Sequence, residues 1–321
     1  MKYVAGRPGV SLAVIAMAAM AILSYFFTPL TGIGGEAGIC APSPNLWNIA
    51  PAASWIIDNV LILAIAVAAV FANKKLVFIP GSDYVMPTLF LVMAAANPWL
   101  TATLNSSTII CAANLGALYL LMNAYGHRNV TQEMFVIGTL AGLGGMVQYA
   151  FLLFVPVHLI GAATLQLVRP KAICAYLLGL IAPYWTLIGL GVITPQDFAL
   201  PQLASLFSVQ IGGLDLFFVL LQIGIAVGGT LLSVTHNSLT LYNTSVRLML
   251  FNRVICIIGF GAAILACIDF LNYMAYIETT MLVAAIQIAN TFQANRNRYS
   301  SWILLGLCLV YVILFILILT A

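Results

Sequence analysis

The chain has 321 residues, of which 63% are hydrophobic and only 6% are charged, and its 11 basic and 8 acidic side chains give a formal net charge of +3. A soluble domain is typically about a quarter charged, so these few charges cannot cover a water-facing surface. The composition indicates a multi-span membrane protein. It excludes a disordered chain, a nucleic-acid-binding protein, a disulfide scaffold and a sizeable soluble catalytic domain.

Long apolar segments predict an all-α polytopic transmembrane bundle, because a membrane-crossing helix needs roughly 20 mostly apolar residues. Runs such as LILAIAVAAVF lack the alternation of a β-barrel strand. We predict a single transmembrane domain over residues 1–321, with outer loops at 28–54 and 194–213 and no soluble domain. The eleven predicted spans are 10–27, 55–72, 84–100, 107–124, 132–147, 150–168, 172–193, 214–234, 254–271, 276–293 and 300–320.

The first predicted span follows Lys2 and Arg7, and no small-x-small cleavage site stands at its exit, SYFFTPL, so we expect a signal anchor. The loop after it holds Cys40, which has no nearby cysteine for a local disulfide. The same loop holds Glu36, the one acid that lies clear of any span. Glu36 is the candidate catalytic residue, as a general base or a group that orients an acceptor hydroxyl; the alternative is a solvated loop glutamate.

Three further acids, Asp58, Asp269 and Glu278, lie at the outer ends of predicted spans. Carboxylates there either point to headgroup water or line an acidic outer vestibule, and Asp58 is a candidate substrate-binding residue. Their spacing supports no metal site. In the third span, Asn97 and Pro98 predict a helix break near the outer end.

The fifth and sixth predicted spans are open to a second interpretation. The first of them is short and rich in glycine, and the second contains Pro156 and His158, so residues 132–168 form either two spans or a re-entrant hairpin. The bundle then has eleven spans, or nine plus the hairpin. His158 is a candidate for substrate contact or proton relay; the alternative is a hydrogen bond to the backbone of a neighbouring helix.

Basic residues predict the orientation, since Lys and Arg concentrate in short cytoplasmic loops. With the N-terminus inside and the C-terminus outside, all 11 Lys and Arg fall in inner segments, and only Asp83 and Glu133 among the acids do. These charges set the topology and contact anionic headgroups. A second role, binding of a lipid phosphate, has four candidate residues: Arg247, Arg253, Arg296 and Arg298.

The stretch 123–191 carries a resemblance, from NAYGHRNVTQEMFVIGTLAGLGGMVQ through VRPKAICAYLLGLIAPYW, together with SVRLMLFNR and IQIANTFQANRNRYSSWILLGL. It resembles an uncharacterised family of multi-pass membrane proteins of Bacteroidota that are similar in length. The central stretch is also distantly similar to the C-superfamily glycosyltransferases, which transfer a sugar from a polyprenyl-phosphate carrier at the outer face. The resemblance implies a catalytic acid in the first outer loop, where Glu36 stands.

Two features depart from that pattern: no acid stands at the end of the first span, and a large outer domain is missing. We therefore expect an integral inner-membrane protein of cell-envelope assembly that is a non-catalytic subunit or degenerate relative of lipid-linked sugar transferases. An active polyprenyl-phosphate-dependent glycosyltransferase, or a transporter or lipid flippase, is the alternative. Expected partners are membrane lipids, a polyprenyl-phosphate carrier and other envelope-assembly membrane proteins, with no nucleic acid and no cofactor.

Overall fold

The computed structural model describes residues 6–28, 38–81, 84–194, 214–241, 245–294 and 298–320, and also residues 196, 198 and 203. Only the backbone is described at residues 7, 45, 214, 215, 240, 241, 293, 294 and 298–301. Every regular element in these ranges is a helix, which confirms the all-α class. Seven of the described helices are long and apolar enough to cross a membrane. The count of eleven spans and the orientation stay predictions.

The helices follow the predicted spans closely, except that two spans are divided. The helices of the described ranges are α1 Arg7–Phe27, α2 Pro51–Leu76, α3 Val85–Ala95, α4 Pro98–Ala102, α5 Ser106–Ala124, α6 Thr131–Val147, α7 Ala150–Leu153, α8 Val155–Thr164, α9 Pro170–Gly189, α10 Leu214–Leu241, α11 Val246–Ile268, α12 Met274–Ala294 and α13 Arg298–Thr320, with short 3₁₀ turns at Pro44–Leu46 and Phe270–Asn272. The seven candidate membrane helices are α1, α2, α5, α9, α10, α11 and α13.

Helix α12 occupies the centre of the bundle. It packs against α3, α5, α10 and α11, and every residue from 275 to 290 is buried. Its sequence, MAYIETTMLVAAIQIANTFQA, is the most polar of the long helices. A helix surrounded by protein can carry polar groups into the membrane region because neighbouring helices supply their hydrogen-bond partners. The outer helices instead expose leucine, isoleucine, valine and phenylalanine side chains.

The predicted break at Asn97 and Pro98 is confirmed, since α3 ends before Asn97 and α4 begins at Pro98. The Asn97 Oδ1 atom accepts a hydrogen bond from the Trp99 amide at 3.1 Å and so caps α4. The freed carbonyl of Ala96 accepts from the Gln222 side chain at 2.7 Å. The backbone groups released by the break are thus satisfied inside the protein, as a lipid environment requires.

Several helix ends that carry basic residues meet on one side of the bundle, which we call the basic face. Lys75 at the end of α2, His127 after α5 and Arg247 at the start of α11 line one pocket. Arg169, before α9, donates to the Arg128 carbonyl at 2.6 Å. The grouping of these charges agrees with the predicted clustering of bases on one side of a membrane.

Helix α6 extends from the basic face to the opposite face. It begins three residues after Arg128, and its far end is contacted by the segment between α1 and α2. There the amides of Ile39 and Ala41 donate to the carbonyls of Gly145 and Met146 at 3.2 and 3.0 Å. Helices α7 and α8 then lead back toward α9. Whether residues 132–168 cross the membrane twice or form a re-entrant hairpin stays a prediction.

Helices α6 and α9 approach each other to backbone contact at glycines. A Cβ atom on Gly138 would lie 2.1 Å from the Tyr176 carbonyl oxygen, and one on Gly142 would lie 2.4 Å from the Leu180 carbonyl oxygen. On α9, a Cβ atom on Gly179 would lie 2.2 Å from the Phe135 carbonyl oxygen. Small residues four apart permit this close packing between membrane helices.

We predict that Gly138→Ala lowers stability by about 1–3 kcal/mol, because the added methyl group must push α6 and α9 apart. The measurement is thermal unfolding of the purified protein in detergent. Gly224→Ala on α10 is the matched control, since a Cβ atom there meets nothing within 4 Å. Equal unfolding temperatures for the two variants would contradict the close α6–α9 packing.

Candidate functional site

Three carboxyl groups lie inside the protein rather than at its surface. Asp58 on α2, Asp269 after α11 and Glu278 on α12 are each 0% exposed. The expectation that they face headgroup water or an outer vestibule is therefore wrong. The reason is packing: α12 is surrounded by α3, α5, α10 and α11, and Thr108 in the first turn of α5 contacts both Glu278 and Asp58.

Asp58 and Glu278 are joined by the hydroxyl group of Thr108. The Thr108 Oγ1 atom lies 2.7 Å from Asp58 Oδ1 and 3.0 Å from Glu278 Oε1. We call these two acids the carboxyl pair. The contact brings together α2, α5 and α12, although residues 58 and 278 are far apart in the sequence.

The start of α5 positions Thr108 between the two acids. Asn105 caps this helix, and its Oδ1 atom accepts from the amides of Ser107 and Thr108 at 2.8 and 3.3 Å. The Ser107 hydroxyl in turn accepts from the Glu278 amide at 3.2 Å. The first turn of α5 thereby directs hydroxyl groups and the positive end of its helix dipole toward the carboxyl pair.

The pair has few donors for two acids. In the described part of the chain, no cation pairs with either group, since the one ion pair there joins His127 and Glu133. The second oxygens, Asp58 Oδ2 and Glu278 Oε2, have no hydrogen-bond partner among the described atoms.

A chain of buried polar side chains continues from the pair toward α9. Next to Glu278, the Thr279 hydroxyl accepts from the Asn114 amide at 3.2 Å. The Asn114 Oδ1 atom lies 2.9 Å from His158 Nε2, and His158 Nδ1 lies 3.5 Å from the Tyr176 hydroxyl oxygen. The expected partner of His158, a helix backbone, is thus replaced by a side-chain amide. His158 is held between α5 and α9 in the same polar region as the carboxyl pair.

Asp269 belongs to a separate and fully satisfied cluster. Its Oδ1 atom accepts from the Tyr149 hydroxyl at 2.7 Å and from the Asn272 amide at 3.1 Å. Its Oδ2 atom accepts from the Tyr276 hydroxyl at 2.7 Å. Three donors and no required acceptor suit an ionised carboxylate. The cluster ties the end of α11 to α12 and to the turn before α7.

A pocket of about 400 Å³ opens at the basic face, lined by Lys75, His127 and Arg247 with neighbouring backbone. The Arg247 guanidinium stacks over the Phe251 ring at 5.1 Å and lies 3.5 Å from the Leu76 carbonyl oxygen. The Lys75 ammonium is fixed by the Tyr119 hydroxyl at 2.5 Å. We call this the basic pocket, and its shape and charge suit a small anion.

An apolar groove of about 820 Å³ leads to the basic pocket along the bundle surface. It runs between α2, from Leu61 to Lys75, and α5, from Ala112 to Tyr119. Lys75 lines both the groove and the pocket. A second groove of about 630 Å³, between α1, α2 and α3, ends at Lys74. The C-terminal end of α2 therefore lies where apolar and cationic surfaces meet.

The structure distributes the other predicted site residues as follows. Arg253 is exposed on α11, outside the lining of the basic pocket, with a guanidinium nitrogen 3.8 Å from the Met249 sulfur. Glu36 and Arg296 lie outside the described residues, and only the backbone is described at Arg298.

Sequence reasoning missed Thr108, Lys75 and His127 as site residues. The sequence NSST at residues 105–108 does carry a signal for Thr108. Asparagine is a common helix cap, and three hydroxyl residues in the turn after it place several hydrogen-bonding groups at the start of one helix.

Comparison with protein families, with curated proteins and with solved structures finds no match to this chain. The geometry of its buried and basic residues is therefore what supports an assignment of function.

We predict that Asp269→Ala lowers stability by about 1–3 kcal/mol, because the Tyr149 and Tyr276 hydroxyls lose their buried acceptor. Glu133→Ala on α6 is the control and costs less than about 1 kcal/mol, since it removes a longer contact with His127 near the surface. Thermal unfolding in detergent measures both. An unchanged unfolding temperature in Asp269→Ala would show that the cluster does not stabilise the contact between α11 and α12.

Proposed function

We propose that this chain is a non-catalytic subunit of a cell-envelope assembly in the inner membrane, and that it binds a polyprenyl-phosphate carrier lipid. The observation that carries the proposal is the continuity of the apolar groove with the basic pocket through Lys75. A lipid with a phosphate head and one long chain has the matching division into a charged end and an apolar tail.

The groove has the length that a lipid tail requires. Helix α2 rises about 1.5 Å per residue, so the stretch from Leu61 to Lys75 extends about 21 Å, a large part of the roughly 30 Å hydrocarbon core. The lining is almost wholly apolar until Lys74 and Lys75. The hydrocarbon tail of a lipid bound in the groove would contact apolar side chains along its length, up to the lipid head group.

The charge of the basic pocket favours a phosphate monoester over a phosphodiester headgroup. A monoester carries about −1.5 to −2 charge at neutral pH, whereas a diester carries one negative charge. Lys75 and Arg247 supply two fixed positive charges, and His127 adds a third when protonated. Among the described residues, no carboxylate lines the pocket. Glu133 is not a lining residue, although its Oε1 atom lies 3.8 Å from His127 Nδ1.

The position of the pocket supports a binding role rather than catalysis. The basic pocket lies at the face where α2 ends, whereas α1 ends and α2 begins at the opposite face. A phosphate bound beside Lys75 is therefore separated by the depth of the bundle from the face where α2 begins.

We predict that Lys75→Gln and Arg247→Gln each weaken binding of polyprenyl phosphate several-fold, because each removes one charge-assisted contact to the phosphate. Native mass spectrometry with polyprenyl phosphate added to the detergent-solubilised protein measures the bound fraction. Lys171→Gln, an exposed lysine outside the pocket, makes the same charge change and serves as the control.

Phosphatidylglycerol in a parallel titration distinguishes the carrier from ordinary anionic lipid. The proposal predicts tighter binding of polyprenyl phosphate and a larger loss in the two pocket variants. Equal binding of both lipids, or equal loss in the Lys171→Gln control, would contradict a carrier site and leave only general attraction to anionic headgroups.

The alternative of an active outer-face glycosyltransferase depends on Glu36 and on the resemblance of the central stretch. It predicts that Glu36→Gln abolishes formation of the lipid-linked or glycan product, since an amide cannot accept the proton of an attacking hydroxyl. The readout is the glycan and lipid-linked product profile of membranes from cells with the variant chain. An unchanged profile favours the non-catalytic subunit.

A further inference from the structure

We propose that Asp58, Thr108 and Glu278 form a binding site for one exchangeable proton, shared between helices α2, α5 and α12. The site is separate from the basic pocket, and nothing in the lipid-binding proposal requires it. The inference rests on the count of hydrogen atoms in the bridge, on the burial of both acids and on the two carboxyl oxygens that lack partners.

A threonine hydroxyl has one hydrogen to donate and accepts through its oxygen. Thr108 Oγ1 lies within hydrogen-bond distance of both Asp58 Oδ1, at 2.7 Å, and Glu278 Oε1, at 3.0 Å. Both contacts are hydrogen bonds only if one of the two acids supplies the second hydrogen. The bridge therefore fits one protonated and one ionised carboxyl group.

The surroundings indicate which acid holds the charge. Asp58 takes the shorter contact with Thr108, which lies in the first turn of α5, where the helix dipole favours a negative charge. Glu278 has the longer contact to Thr108. In the resting arrangement, Glu278 Oε1 carries the proton and donates to Thr108 Oγ1, which donates to the Asp58 carboxylate.

The burial of the two acids is a second reason to place one proton on the pair. Both side chains are 0% exposed, and no Lys, Arg or His pairs with them in the described part of the chain. Two unpaired charges of like sign in an apolar interior are far more costly than one charge and one neutral acid. Two other titratable groups are buried on the same helices: the Cys111 thiol on α5, and Tyr276 on α12, whose hydroxyl donates to Asp269.

Asp58 Oδ2 and Glu278 Oε2 have no hydrogen-bond partner among the described atoms, so no further donor stabilises a second negative charge in the pair. The pair does not resemble a metal site, since the described residues offer no group of three His, Cys, Asp or Glu side chains, whereas Ca²⁺ and Mg²⁺ take six or more ligands and Zn²⁺ takes four. A proton needs only one oxygen and one acceptor, which the pair provides.

The bridge also permits transfer of the proton between helices. The Glu278 O–H bond breaks as its proton passes to Thr108 Oγ1, and the original Thr108 hydroxyl proton passes to Asp58 Oδ1. One O–H bond is lost on Glu278 and one is gained on Asp58, with no change in oxidation state. The net result is movement of one proton from α12 to α2.

Infrared spectroscopy of the full chain in lipid nanodiscs tests the site through the C=O stretch of protonated carboxyl groups near neutral pH. We expect a band of one carboxyl equivalent that shifts in D₂O and is lost in Glu278→Gln. The amide of that variant keeps a donor to Thr108, so the fold is retained. The matched control is Asp269→Asn, which removes a buried acid from the satisfied cluster and leaves the band in place.

Absence of a protonated carboxyl band in the wild-type protein would overturn the proposal, as would a band that persists in both Glu278→Gln and Asp58→Asn. Loss of the band in Asp269→Asn would assign the proton to the other cluster. If the acid variants fail to fold, Thr108 gives a second test. Thr108→Ser keeps the hydroxyl group, so the carboxyl band stays at its wild-type frequency. Thr108→Val removes the hydroxyl group, so the band moves to the frequency of a carboxyl group without a hydrogen bond. Equal band frequencies in the two Thr108 variants would contradict the bridge.

Discussion

Polar groups inside a membrane bundle must find their partners in the protein, and helix α12 places the largest number of them at the centre. Glu278 reaches α2 through Thr108, and Gln287 accepts from Asn237 of α10 at 3.1 Å. Each contact fixes a neighbouring helix against α12. The packing of α3, α5, α10 and α11 around one polar helix therefore both stabilises the bundle and creates its buried site.

The same arrangement separates two kinds of chemistry. Charge near the basic face is open to the surroundings and bordered by apolar grooves, which suits a lipid phosphate. The carboxyl pair near the opposite face is enclosed and poor in donors, which suits a proton. Helix α2 takes part in both, since it carries Asp58 in its early turns and Lys75 in its last turn.

The helical class and the helix positions follow from the sequence because apolar run length and proline placement are local properties. The break at Asn97 and Pro98 is an example, since proline removes an amide donor wherever the chain lies. The carboxyl pair could not be predicted in this way. Residues 58, 108 and 278 meet only through packing of three helices, and a single sequence does not report which helix faces meet.

One local signal for the buried site was nevertheless present. Helix α12 has polar residues on several faces, with Glu278, Gln287 and Asn290 in one span, and such a helix is stable in a membrane only when protein surrounds it. An acid on a central helix has no route to headgroup water. The expectation of outer, hydrated carboxylates failed because it did not consider which helix is surrounded by the others.

The most direct test of this account is a double-mutant cycle between Asp58 and Glu278. Unfolding free energies of the wild type, Asp58→Asn, Glu278→Gln and the double variant give the coupling between the two acids. Groups that share one hydroxyl predict a coupling of about 0.5–3 kcal/mol in magnitude. Additive effects, within about 0.3–0.5 kcal/mol, would show that the two side chains do not meet through Thr108 and would contradict the account.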